Sequence, residues 1–208
     1  GFPLESIVVK SSPIVVDLDA DGYKEIYFGS DNNMLHGYNS FGEELVGFPF
    51  QSTDRIRSSP AIGDVDNDGQ MEIVFGNSSG KLYIINQDGS QQLAYTQLGF
   101  VEGAPALVDI DGDQDLEIIF TTTTGSGGQV YVIHHNGVTE SGFPKEIGSM
   151  FAGPAVHDLD NDGVVDVVCV TYDKEIYAIE AIGGAIKSGF PFTAESRFSM
   201  PATIVDVD

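Results

Sequence analysis

Cysteine occurs once in this chain, basic residues number only nine, and no apolar run approaches the roughly 20 residues needed to span a bilayer. The lone Cys169 excludes an internal disulfide. Its setting, Val167-Val168-Cys169-Val170, reads as a small buried hydrophobe rather than a catalytic thiol. So few Lys and Arg exclude nucleic-acid binding, which needs a basic footprint. A membrane-inserted helix is excluded within the chain. The opening Gly1-Phe2-Pro3-Leu4 lacks the basic and apolar regions of a signal peptide, as a mature or excised segment would. Helical periodicity is missing from every stretch, and so are a Gly-x-Ser-x-Gly elbow, a His-Glu-x-x-His helix and a phosphate loop. Catalytic residues are therefore not expected. His134 and His135 stand where the next-earlier repeat has Asn86 and Gln87, which predicts exposed turn residues. His157 precedes an acidic loop, and His36 completes the set of four.

Acid is what the chain has in excess: 32 Asp and Glu give a formal charge of −23 over 208 residues, of which 41% are hydrophobic. Of those acids, 19 fall in five short clusters, and the clusters recur at a fixed period. Ser11-Ser12-Pro13 leads to Asp17, Ser58-Ser59-Pro60 to Asp64, Gly103-Ala104-Pro105 to Asp109 and Ala152-Gly153-Pro154 to Asp158. A fifth copy, Ser199-Met200-Pro201, leads to Asp206. The prolines stand 47, 45, 49 and 47 residues apart, and Gly-Phe-Pro recurs at 1, 47, 142 and 189, with Leu98-Gly99-Phe100 near the remaining repeat.

Each unit reads as four short strands. Ile14 to Val16 predicts the first and Glu25 to Gly29 the second, with Glu72 to Gly76 as its counterpart. Lys81 to Asn86 predicts the third, matched by Val130 to Ile133 and Ile176 to Ile179. Turn signals follow at Asp88-Gly89, Asn136-Gly137 and Gly183-Gly184. A weaker fourth strand leads through Gly-Phe-Pro. Four antiparallel strands per 45 to 49 residues make one blade of an all-β propeller. The units fall at 1–46, 47–92, 93–141 and 142–188, with a partial fifth at 189–208, all in a single repeat domain. Because 189–208 repeats the phase of 1–19, a closed four-bladed ring would place two segments in one slot. The expectation is a fragment of a ring of roughly six to eight blades. The tyrosines at 27, 83, 131 and 177 recur in strands and are expected in inter-blade packing.

The four complete clusters share one pattern. Loop one carries Asp17, Asp19, Asp21 and Glu25; loop two carries Asp64, Asp66, Asp68 and Glu72. Loop three carries Asp109, Asp111, Asp113 and Glu117, with Asp115 in addition, and loop four carries Asp158, Asp160, Asp162 and Asp166. The shared acids occupy loop positions 1, 3, 5 and 9. Such crowding is costly unless a cation neutralises it. Alternating hard oxygens with a turn-permitting glycine suit Ca²⁺, whereas Mg²⁺ demands a tighter shell and zinc or copper would call for His or Cys. The expected ligands are side chains at positions 1, 3 and 5, the backbone carbonyl at position 7 (Tyr23, Gln70, Asp115 and Val164) and a bidentate carboxylate at position 9. An EF-hand closes later in its loop and is flanked by helices, so it does not fit.

These loops and their strand context resemble the FG-GAP (integrin-α-like, also VCBS-like) calcium-binding propeller repeats, over essentially the whole chain. The resemblance implies that each loop holds Ca²⁺ between the first two strands of a blade. It also implies extracellular or cell-surface proteins that bind proteins or glycans, and includes bacterial enzymes with a propeller scaffold or appendage. Two features depart from the family: Gln114 replaces the loop glycine in the third site, and the fifth copy stops at Asp208 before a site is complete.

The resulting expectation is a secreted or surface-exposed, non-catalytic adhesion or interaction module with four structural Ca²⁺ sites, a protein or glycan partner, and the parent polypeptide's remaining blades as neighbours. The alternative is part of a secreted polysaccharide lyase or protease. It would need a basic or His/Tyr cluster at one mouth of the ring, and the nine basic residues show no common phase. Among the sites, the third is expected to be weakest, because Gln114 stands where the chain turns with φ > 0.

Overall fold

The computed structural model describes residues 7–97, 99–198 and 200–205. The first Gly-Phe-Pro, Leu98, Ser199 and the fifth cluster with Asp206 and Asp208 lie outside the described residues. The described residues fold into sixteen short strands. β1 (Ile14–Val16), β2 (Glu25–Gly29), β3 (Met34–Tyr38) and β4 (Phe50–Gln51) form the first sheet; β5 (Ala61–Gly63), β6 (Glu72–Gly76), β7 (Lys81–Asn86) and β8 (Gln91–Thr96) form the second. The third contains β9 (Ala106–Val108), β10 (Glu117–Thr121), β11 (Gln129–Ile133) and β12 (Lys145–Glu146). The fourth contains β13 (Ala155–His157), β14 (Asp166–Val170), β15 (Glu175–Glu180) and β16 (Phe192–Thr193). All neighbours pair antiparallel in chain order. The described residues contain no helix long and apolar enough to cross a membrane.

Side-chain alternation explains how the sheets stack. Successive residues of a strand face opposite sides, so a strand covered on both faces reads as a continuous apolar run. In β6, Ile73 and Phe75 pack with Tyr27, Leu35 and Phe48 of the first sheet. Val74 instead joins Ile118, Phe120 and Tyr131 of the third. In β10, Ile119 points the other way, to Val167, Cys169 and Ile179 of the fourth. Every residue of β6 and β10 is buried. Each fully buried Phe or Ile contributes roughly 1.5 to 3 kcal/mol. Phe75–Tyr83 and Phe120–Tyr131 stack as cross-strand pairs within sheets two and three, at 5.3 and 4.9 Å, while Phe50 of the first sheet meets Tyr83 at 5.5 Å and Tyr95 of the second meets Tyr131 at 6.1 Å across the sheet interfaces. Tyr27, Tyr83 and Tyr131 are buried as expected, and Tyr177 is partly so.

Three apolar clusters thus join sheets one to two, two to three and three to four. Among the described residues no cluster joins the fourth sheet to the first, so the blades form an open arc. In the first, third and fourth sheets the fourth strand follows Gly-Phe-Pro, whose Phe-Pro bonds at 48–49, 143–144 and 190–191 are cis; β8 of the second sheet has no such motif before it. The hydrogen-bonded sheets therefore straddle the repeat units marked by that motif. Turns form at the glycines expected: the N–H of Gly89 donates to Asn86 O and that of Gly137 to His134 O, both at 2.9 Å.

Candidate metal centres

Each acidic loop leaves a three-residue first strand and returns as the second strand of the same sheet. The reversal needs two residues at positive φ, at loop positions 4 and 6. These are Ala20 (58°) and Gly22 (91°), Asn67 (54°) and Gly69 (88°), Gly112 (82°) and Gln114 (81°), and Asn161 (59°) and Gly163 (89°). The expectation that Gln114 would sit at φ > 0 holds. The third loop also moves its glycine to position 4, which sequence reading overlooked.

The carboxylates stitch the turn together. At position 1, Asp17, Asp64, Asp109 and Asp158 each accept the N–H of position 6, at 2.9 to 3.2 Å. Among these, donation from Gly163 holds the Asp158 carboxyl below its ordinary range. At position 5, Asp21, Asp68, Asp113 and Asp162 accept the N–H of Tyr23, Gln70, Asp115 and Val164, at 2.7 to 3.0 Å. Position 9 opens the second strand, where Glu25, Glu72, Glu117 and Asp166 are buried. One oxygen of each accepts the N–H of Leu18, Val65, Ile110 or Leu159, at 2.8 to 3.0 Å. The bidentate role expected of position 9 thus starts with one oxygen already engaged.

Positions 1, 3 and 9 converge. In each of the four loops, one oxygen from each lies within 4.8 Å of the others: Asp17, Asp19 and Glu25; Asp64, Asp66 and Glu72; Asp109, Asp111 and Glu117; Asp158, Asp160 and Asp166. The position-5 aspartates are not in these groups, being turned onto their own loops. Burial, opposed by the backbone N–H and aided by the neighbouring carboxylates, raises the carboxyls of Glu25, Glu72 and Glu117; Glu72 is pushed up to about 7. Asp17 Oδ1, Asp66 Oδ1 and Asp166 Oδ1 are buried with no hydrogen-bond partner. All-oxygen groups with orphaned buried oxygens fit a hard divalent cation, so each of the four could hold a metal ion. Cavities of about 350 Å³ beside Asp19 and Glu25 and about 250 Å³ beside Asp68 and Glu72 leave room at loops one and two.

Several neighbours of these clusters were not foreseen. Gln92 Nε2 donates to Asp66 Oδ2 at 2.6 Å. His134 and His135 are not exposed turn residues: they are half-buried, with His134 Nδ1 2.9 Å from Glu117 Oε1 and His135 Nδ1 2.9 Å from Asp115 Oδ2. The turn does carry them, but its register swings both rings back onto the third loop. Lys187 Nζ lies 2.8 Å from Asp160 Oδ1 and 3.0 Å from Asp166 Oδ2. In-phase comparison of the segment before Gly-Phe-Pro was the signal that could have found it. His157 is exposed, its Nδ1 2.8 Å from the Asp158 carbonyl, and His36 is buried beside the rings of Phe28 and Tyr38. Cys169 is fully buried, and burial pushes its thiol up to about 12, so it is inert as read.

The opposite ends of the first strands line a groove of about 570 Å³ that includes Lys10, Arg57, Glu102, Phe151 and Met200. Lys10 and Arg57 both stand three residues before their repeat proline, so two basic residues do share a phase, contrary to expectation. Arg57 is paired, with Nε 2.9 Å from Asp31 Oδ1 and Nη1 3.8 Å from Glu102 Oε1.

The sequence model of the FG-GAP-like repeat matches three times, at residues 17–75, 64–120 and 109–169. No curated protein matches the chain. Among solved structures, the chain is similar to BBS1N in its complex with ARL6DN, with 11% identity and a TM-score of 0.66 over 91% of this chain and 58% of that one. It is also similar to the PilY1 C-terminal domain of Pseudomonas aeruginosa, with 17% identity and a TM-score of 0.60 over 82% of this chain and 41% of that one. BamB from Moraxella catarrhalis gives 21% identity and a TM-score of 0.53 over 85% and 49%. The chain therefore spans 41 to 58% of these structures. At such identities the likeness concerns the fold, which is that of a β-propeller. With three in-phase matches to its repeat model, the chain belongs to the FG-GAP-like repeat family.

Proposed function

We propose that the acidic loops bind Ca²⁺ and that the chain is a calcium-stabilised, non-catalytic interaction module working outside the cell or at its surface. The observation that carries this reading is the convergence of three carboxylates in each of four equivalent loops. Positions 1, 3 and 9 supply the core of the donor set, and position 5 and the position-7 carbonyls of Tyr23, Gln70, Asp115 and Val164 complete it. Oxygen-only donors and a loop already turned favour Ca²⁺ over Mg²⁺. The ion's part is to remove the repulsion among the carboxylates and to lock the first hairpin of each blade. Weak sites of this kind fill at extracellular calcium levels and stay mostly empty at cytosolic ones.

The partner is a protein or a glycan. A protein partner draws support from BBS1N, a similar fold seen in complex with ARL6DN. Open apolar surface on the fourth sheet, with Phe192 57% and Ile186 43% exposed, supports further blades as neighbours within a larger ring. Isothermal titration of the chelator-treated chain tests the proposal. Ca²⁺ should bind with Kd on the order of 10⁻⁴ M, and Mg²⁺ should compete poorly. Absence of binding at millimolar Ca²⁺ would overturn it.

A further inference from the structure

One of the chain's nine basic residues sits where a metal ion would. Lys187 lies on the segment between β15 and β16, two residues before Gly189. Its N–H donates to Ala178 O at 2.9 Å, which fixes its backbone against the third strand. Leu45 and Glu140 hold the equivalent places in the first and third sheets, bonded to Gly37 O and Val132 O at the same 2.9 Å. From this shared position the Lys187 side chain, only 11% exposed, carries its ammonium to the fourth loop. Nζ lies 2.8 Å from Asp160 Oδ1, 3.0 Å from Asp166 Oδ2 and 3.8 Å from Asp162 Oδ2. Two of the three converging carboxylates of that loop thus face one tethered cation. The ammonium is at ion-pair distance without being aligned for directed hydrogen bonds, as a charge seated among several oxygens would be.

We propose that Lys187 replaces the metal in the fourth loop, so that this blade is neutralised from within and the chain takes up three Ca²⁺ rather than one per loop. The inference rests on the calcium reading of the loops. A tethered ammonium competes at high effective concentration, and a calcium ion would have to expel it to gather six or more oxygens. At the equivalent place, loop one has the apolar Leu45. In the third sheet Glu140 meets His134 Nε2 at 3.3 Å, and His134 in turn meets Glu117 through Nδ1. At the second loop the neutral amide of Gln92 reaches Asp66 instead, so among the described loops only the fourth has a lysine inserted among its converging carboxylates. The consequence is a blade whose acidic hairpin stays closed when calcium is scarce while its neighbours loosen.

Counting bound Ca²⁺ per chain by native mass spectrometry, for the wild type and for Lys187→Leu, tests this. Leu is the residue the first sheet already accommodates at this place. The wild type should saturate at three ions and Lys187→Leu at four; Lys187→Arg should stay at three. Terbium-soaked crystals of the wild type give a readout independent of any variant, with anomalous peaks expected in loops one to three and none in loop four. A wild-type fourth-loop peak, or four ions on the wild type, would overturn the proposal and leave the calcium reading intact. An unchanged count in a folded Lys187→Leu would also overturn it. No ion in any loop would remove both.

Discussion

A left-handed backbone at position 6 costs little for glycine and on the order of 1 kcal/mol for a residue with a Cβ. Gln114 at φ 81° lies further from the left-handed minimum than Asn67 or Asn161, which sit at 54° and 59° in residue types suited to it. Gln114→Gly should therefore relax the third loop and tighten its calcium affinity roughly fivefold. A calcium titration in which the variant binds no better, or worse, would remove strain as the cause of a weak third site. The position-9 carboxylates give a second prediction. Glu72 is pushed from 4.5 up to about 7, first by burial. A raised carboxyl means that the native state holds its proton more tightly than the unfolded chain does. That contribution is complete below about pH 4.5 and is lost as pH climbs through about 7. Glu25 and Glu117 shift in the same direction. In chelator, the urea midpoint should fall between pH 5 and pH 7.5, and a rise over that interval would contradict the burial of uncompensated carboxylates. At this scale the converging carboxylates were legible, because a local spacing of 1, 3 and 9 encodes them. Lys187, His134 and Gln92 were not, because they reach the loops from 15 or more residues away, through strand pairing alone.

Strands carry their own signature. Where a blade is covered on both faces, as at β6 and β10, the sequence is a short unbroken apolar run. The five-residue span was therefore readable at Glu25–Gly29 and Glu72–Gly76, and β10 and β14 repeat it. The fourth strands were harder: β4, β12 and β16 are two residues long, and no periodicity can show in so short a stretch. Gly-Phe-Pro marked the phase of the repeat but lies just before the strand that completes the preceding sheet, so sequence units and hydrogen-bonded sheets are offset. Close approach between blades is the other feature hidden from sequence. Gly76 ends β6 where Val101 of the next repeat crosses, its N–H donating to Asn77 O at 3.1 Å. A Cβ at Gly76 would run into the Val101 side chain and lie 2.8 Å from the Val101 carbonyl oxygen. Gly76→Ala should destabilise by roughly 1 to 3 kcal/mol and lower Tm by several degrees. An unchanged Tm would mean that the two blades separate there at no cost.

At the scale of the molecule, the described residues form four sheets joined by three apolar interfaces, in a chain whose formal charge is −23. Packing holds the blades face to face, while the acids gather at one end of the first strands and repel one another. On the proposed calcium reading, bound ions remove this repulsion and the fold leans on them. A ligand that binds only the native state stabilises it by about 2.7 kcal/mol per site at a 100-fold excess over Kd. If three loops act independently, this amounts to roughly 15 to 30 °C in Tm for a chain of this size. Thermal unfolding of the chain in excess chelator and in saturating Ca²⁺ measures this dependence. Tm should climb steeply with free Ca²⁺, with a separation of that order between the two end conditions. Superimposed melting curves would contradict it.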